Sequence, residues 1–140
     1  MRRFCLMFAV LAVFACGTND GVGPVLNVPF SMTDLVIGSG PAASNGQELQ
    51  VAFTGWLYNE TAAENKGAQF DAATASNPFM FVLGAGRVIA GWDQGVVGMQ
   101  VGGQRRLVIP PALGFGAAGA APAIPGNATL IFDIELLNIN

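Results

Sequence analysis

The stretch GRVIAGWDQGVVGM, Gly86 to Met99, carries the chain's clearest helical period. Ile89, Trp92, Val96 and Met99 fall at i, i+3, i+7 and i+10, on one side of a helix. Gly91, Gly95 and Gly98 interrupt it, and each glycine inside a helix costs about 0.5–1 kcal/mol relative to alanine. The spacing therefore predicts a helix over Ile89–Met99 that only packing can hold. Trp92 stands near its start, where helices are usually polar. Either it fills a core or it floors a hollow.

Outward from this segment the chain reads as strand. Met32 to Ile37 is a short candidate, closed by Gly38, Ser39, Gly40 and Pro41. Glu48 to Tyr58 is longer, with Leu49, Val51, Phe53, Gly55 and Leu57 sharing a face. Asn59 to Gly67 is polar and loop-like; Gln69–Asp71 and Pro78–Val82 are short extended pieces around the small-residue loop Ala72–Asn77. After Gly102 and Gly103, Gln104 to Ile109 is a strand that Pro110 and Pro111 stop. Gly114 to Gly126 is a loop. In the last strand, Thr129 to Ile139, Leu130, Phe132, Ile134 and Leu136 face one way and Asp133 and Glu135 the other. Many strands and one short helix predict an α+β fold, an antiparallel sheet curling over the helix.

The amino terminus reads differently. Met1-Arg2-Arg3 is a positive start and Phe4 to Ala15 a 12-residue apolar run, short for a membrane span and fit for a signal peptide over 1–15. Small Ala15 before Cys16 resembles a bacterial lipoprotein signal, with Cys16 the lipidated residue, although Phe14 is bulkier than that pattern usually has. Val13 and Ala15 also permit ordinary secretory cleavage. Either route exports residues 16–140. The turn formers from Gly17 to Pro24 predict a flexible tether over 16–30, and the folded domain takes 31–140. Cys5 leaves with the signal, so Cys16 has no internal disulfide partner.

Composition closes several routes to function. Of 140 residues, 52% are hydrophobic and 11% charged, which is enough apolar material for one domain with a substantial core. The net charge of −3, or −5 without Arg2 and Arg3, argues against nucleic acid as a partner. With no histidine in the chain, His-based triads, His-dependent metal sites and imidazole acid–base catalysis are excluded. The sequons Asn59-Glu60-Thr61 and Asn127-Ala128-Thr129 read as chance behind a bacterial-looking signal. Arg105 and Arg106 read as a solvated strand edge. What remains is aromatic and branched residues interleaved with glycine, the makings of an apolar binding hollow.

The order of the pieces is specific. VAFTGWL (51–57), QFD (69–71), PFMFVLGAGRVIAGWDQGVVGMQVGGQRRLVIPPALGFG (78–116) and AIPGNATLIFDIELL (123–137) together resemble the FKBP-type peptidyl-prolyl isomerases, the macrolide-binding isomerases. The resemblance spans Met32 to Ile139. It implies a five- to six-stranded antiparallel sheet wrapped around one short helix, no cofactor or metal, a monomer, and proline-containing polypeptides as clients. It also implies that Trp92 lies beneath the bound prolyl ring, with Phe53, Phe70, Phe79, Val88, Ile124 and Phe132 as substrate-binding walls. Asp71, Ile89 and Phe115 join Trp92 as the catalytic set, Ile89 through its backbone N–H to a substrate carbonyl and Asp71 as a rim carboxylate.

Rotation about an X–Pro bond breaks no bond and needs no nucleophile. Its barrier of ~18–20 kcal/mol comes from amide resonance. The twisted transition state loses the resonance charge separation, so a dry apolar pocket disfavours the planar ground state relative to it, and shape complementarity adds differential binding. This chain departs from the family at four places. Phe53 and Phe115 stand where tyrosines are usual; the loop Ala72–Asn77 lacks the arginine that often pairs with the Asp71 position; and Ala120 matches a frequent histidine. Lowered macrolide affinity and moderately lowered turnover follow, and a module that holds prolyl peptides with little turnover is the alternative. Asn59 to Lys66 is an insertion that reads as a tolerated surface loop.

Overall fold

The computed structural model describes residues 28–140. The proposed signal, Cys16 and most of the tether lie outside them. Phe30, at the far end of the expected tether, already packs against the core.

The strands are β1 (Ser31–Val36), β2 (Glu48–Tyr58), β3 (Lys66–Ala73), β4 (Phe79–Val82), β5 (Gln104–Ile109) and β6 (Leu130–Ile139), with one helix, α1 (Ala90–Gly95), between β4 and β5. All pairings are antiparallel, in the order β1-β5-β6-β2-β3, and β4 shares with β3 the second edge of β2. This is the predicted architecture: one antiparallel sheet and one short helix. The alternation read in β2 and β6 recurs in their burial, with Leu49, Val51, Leu130, Ile134 and Leu136 buried on the inner face, although Ile131 between Leu130 and Phe132 is buried as well. Leu107 and Ile109 of β5 complete that face beneath α1.

The helix is shorter than its period predicts. It ends at Gly95, and Val96–Met99 form a turn in which Gly98 adopts φ +87°. The N–H of Gly98 goes to the carbonyl of Ala43 at 2.9 Å, and the Met99 carbonyl accepts the Ala43 N–H at 2.7 Å. Val96 and Met99 remain buried, so the apolar period survives while the backbone leaves the helix to bond elsewhere. The helical glycines have a packing reason. A Cβ at Gly91 would come 2.7 Å from the Ile109 side chain, and one at Gly95 2.6 Å from Leu107. Glycine weakens the helix alone but lets it lie directly on β5.

Two further expectations change. β3 runs over Lys66–Ala73, longer than Gln69–Asp71, because pairing with β2 rather than side-chain pattern recruits its ends. Arg105 and Arg106 are not a solvated edge: β5 lies between β1 and β6, and cross-strand register sets Arg105 opposite Asp34 and Arg106 opposite Asp133. Arg105 Nε donates to Asp34 at 2.7 Å while its Nη1 donates to the carbonyls of Gly95 and Val97, tying the end of α1 to the sheet. Arg106 donates twice to Asp133, at 2.7 and 2.9 Å, and once to Glu64 of the 59–65 segment. Lys66 joins the same carboxylates, 3.1 Å from Asp133, and its ammonium lies 4.3 Å from the Trp56 ring centroid. The inserted loop is thereby pinned to the outer face.

Candidate functional site

Trp92 follows Gly91 into the inner face of the sheet and is 4% exposed. Four phenylalanines surround it. Phe53 of β2 meets it at a centroid distance of 5.0 Å and an interplanar angle of 87°, and Phe132 of β6 at 5.2 Å and 88°. Phe81 and Phe79 of β4 complete the ring at 5.4 and 5.9 Å. Edge-to-face geometry places positive ring edges against negative faces, worth about 0.5–1.5 kcal/mol per pair beyond the area buried. The indole Nε1–H is buried without a hydrogen-bond partner among the described residues. Phe70 of β3 stands edge-on to Phe132 at 5.5 Å, and Gly55 makes that possible, since a Cβ there would come 2.8 Å from both rings.

Above this floor opens a cavity of about 410 Å³ lined by Phe53, Phe70, Asp71, Phe79, Gly86, Arg87, Val88, Ile89, Trp92, Phe115 and Phe132. Nine of the ten residues singled out from the sequence thus meet at one place. Ile124 does not: it is 6% exposed and packs in the core, bonded backbone to backbone with Ala120. Sequence reasoning passed over Phe81, which is buried against Trp92, and Arg87. The alternation of Phe79 and Phe81 in β4 was the available signal for the first. A second hollow, of about 180 Å³, lies against the sheet and is lined by Ala52, Thr54, Gln104, Asp133 and Glu135 among others; it has no aromatic wall beyond Phe53.

The wall carrying Val88 and Ile89 is held by one carboxylate. Asp93 accepts the N–H of Gly84 at 2.8 Å on one oxygen and that of Gly86 at 3.1 Å on the other. Both glycines have positive φ, +80° and +72°, a backbone shape that side chains disfavour. Ile89 caps α1, and its carbonyl accepts from Trp92 and Asp93, whereas its N–H has no acceptor among the described residues. Asp71 is exposed, and its carboxylate takes only the adjacent Ala72 N–H, at 2.8 Å. Neither a hydroxyl nor a cation among the described residues supports it, as expected from Phe53 and the arginine-free loop. Phe79 and Phe115, 39% and 37% exposed, form the open apolar lip.

A six-stranded antiparallel sheet closing an aromatic cavity over one short helix defines the class. The model of the FKBP-type peptidyl-prolyl cis-trans isomerases matches residues 40–137, and the chain belongs to that family of enzymes. It is 40% identical to FK506-binding protein 2 of Dictyostelium discoideum over 98% of this chain and 97% of that one. It is 53% identical to FK506-binding protein 2B of Rhizopus delemar over 68% of this chain, spanning 43% of that longer protein. Among solved structures, AtFKBP13 superposes with a TM-score of 0.68 at 36% identity, over 79% of this chain and 93% of that one.

Proposed function

We propose that this chain speeds rotation of X–Pro bonds in exported polypeptides, and that the cavity over Trp92 is where it does so. The observation that carries this reading is the composition of the cavity: an indole floor, five phenylalanines, Val88 and Ile89, with charge confined to Asp71 and Arg87. A prolyl ring seated there leaves water, and the planar amide loses the solvation that its resonance charges enjoy; the twisted amide has less to lose. The N–H of Ile89, which has no acceptor among the described residues, is available to a substrate carbonyl. Asp71 supplies a carboxylate at the rim. Macrolides that imitate the prolyl group would bind the same cavity with reduced affinity, since Phe53 and Phe115 offer no hydroxyl.

The same reading takes residues 1–15 as a signal and Cys16 as a lipid anchor, which would hold a monomeric domain at the periplasmic face of an outer membrane. Stable anchoring requires more than one acyl chain, and a lipidated amino-terminal cysteine supplies it. Isomerisation of a proline tetrapeptide by the purified protein tests the activity. Macrolide-sensitive acceleration is expected, and a rate equal to the uncatalysed one would refute it. For the anchor, Cys16→Ser should release the protein from membranes or leave its precursor uncut. Wild-type protein found wholly in the soluble fraction would reject lipidation.

A further inference from the structure

The four basic side chains of the described residues divide sharply. Lys66, Arg105 and Arg106 are all engaged in ion pairs on the sheet. Arg87 is exposed, lines the cavity, and makes neither an ion pair nor a side-chain hydrogen bond among the described residues. Its backbone is fixed nonetheless, because the N–H of Gly86 immediately before it is held by Asp93 and Val88 and Ile89 immediately after it form the wall. Asp71, the cavity's other charged residue, makes no ion pair with it. The rim therefore presents a separated acid and base over an otherwise apolar hollow. On a chain whose net charge is negative, the guanidinium is the local exception.

We propose that Arg87 is a specificity-determining residue, selecting clients that carry a carboxylate side chain close in sequence to the proline. The inference rests on the isomerase reading of the cavity. Arginine is well suited to this role, because its planar fork of donors matches a carboxylate bidentately and it stays charged at any physiological pH. Held on a fixed backbone with no partner among the described residues, it breaks no ion pair with them on engaging a client. Because the contact would remain partly solvated, its effect is modest in size and screened by salt.

A peptide series tests this, with Glu, Gln or Lys placed in turn at each of the two positions on either side of one proline. Wild type, Arg87→Gln and Arg87→Glu are compared at low and high ionic strength. At one position, Glu should be favoured over Gln by about 1.5- to 5-fold in kcat/KM, as exposed ion pairs allow. That ratio should fall to about one in Arg87→Gln, invert in Arg87→Glu, and shrink in wild type as salt rises. Peptide affinity, followed by the amide shifts of Val88 and Ile89, supplies the same ratio independently of turnover. The neutral Gln peptides separate the two claims. Failure to accelerate them refutes the isomerase reading, while a Glu-to-Gln ratio of affinities unchanged across the three proteins refutes the role of Arg87.

Discussion

The carboxylate of Asp93 reaches back nine residues to take the Gly84 N–H at 2.8 Å. Through its second oxygen it also holds Gly86, so a single helical side chain fixes the turn from which Val88 and Ile89 enter the cavity. Floor and wall are thus coupled, since Asp93 is the neighbour of Trp92. In Asp93→Asn an amide with one acceptor faces two N–H donors, and one bond is lost with a donor set against a donor. A cost of about 1–3 kcal/mol is expected. Amide hydrogen exchange at Gly84 or Gly86 should quicken by at least several-fold, while Leu83, whose N–H bonds to the Gln47 carbonyl, serves as the control. Macrolide affinity should fall in parallel. Unchanged exchange at both glycines would mean that the turn holds itself.

Trp92→Leu should preserve the fold. Leucine refills part of the volume, so the loss should be smaller than the ~3–5 kcal/mol typical of replacing a core aromatic by alanine. Removal of a buried donor that has no partner among the described residues offsets it further. Ligand affinity should drop roughly two- to tenfold, the range of one aromatic contact. Fluorescence reports the floor directly if Trp56, which lies under Lys66 on the outer face, is first replaced by phenylalanine. Saturating ligand that leaves the emission of Trp92 unmoved would remove it from the site.

Much of this was legible in the sequence, and the exceptions have a common cause. β2 and β6 are half-buried antiparallel strands, where alternation is a direct consequence of one face being core. The cavity residues announced themselves because an apolar hollow needs aromatic bulk beside glycines that make room for it, as Gly55 does for Phe70 and Phe132. What failed depended on partners distant in the chain. α1 stops early because Ala43 captures Gly98 and Met99; β3 is extended by β2; Arg105 and Arg106 are engaged because register brings Asp34 and Asp133 opposite them.

Acid should unfold the protein partly through Asp133. Burial works to raise its pKa, but hydrogen bonds and charge from Arg106 and Lys66 outweigh it and hold the group below the usual carboxylate range. A depressed folded pKa means that the stabilisation is complete above the unfolded carboxylate range and is lost as pH falls through the folded value. Asp133→Asn should therefore be less stable at pH 7, by about 1.5–3 kcal/mol for hydrogen bonds to a charged group. It should also lose less as pH falls from neutrality through the ordinary carboxylate range and below it, where the wild type gives up this stabilisation. Urea midpoints across that window decide the matter. Parallel curves for the two proteins would assign the acid limb to other groups.

Restoring the two absent hydroxyls separates desolvation from hydrogen bonding as the source of catalysis. Phe53 is buried against Trp92 and Phe132, and Phe115 stands at the exposed lip, so the apolar walls that a dry pocket requires are complete without them. Phe53→Tyr and Phe115→Tyr should then raise kcat/KM only modestly, by about tenfold or less each, in line with one net hydrogen bond of about 0.5–1.5 kcal/mol. Their routes differ. A hydroxyl on residue 53 is expected to act through Asp71, whose carboxylate has only the Ala72 N–H, so its benefit should vanish in an Asp71→Ala background. A hydroxyl on residue 115 is expected to meet the substrate, and its benefit should survive there. A double-mutant cycle on each pair measures that difference. Should the wild type prove inactive and the double tyrosine variant fully active, the hydroxyls would be essential. Desolvation would then be insufficient in this protein, and its native cavity would be one that holds prolyl peptides without turning them over.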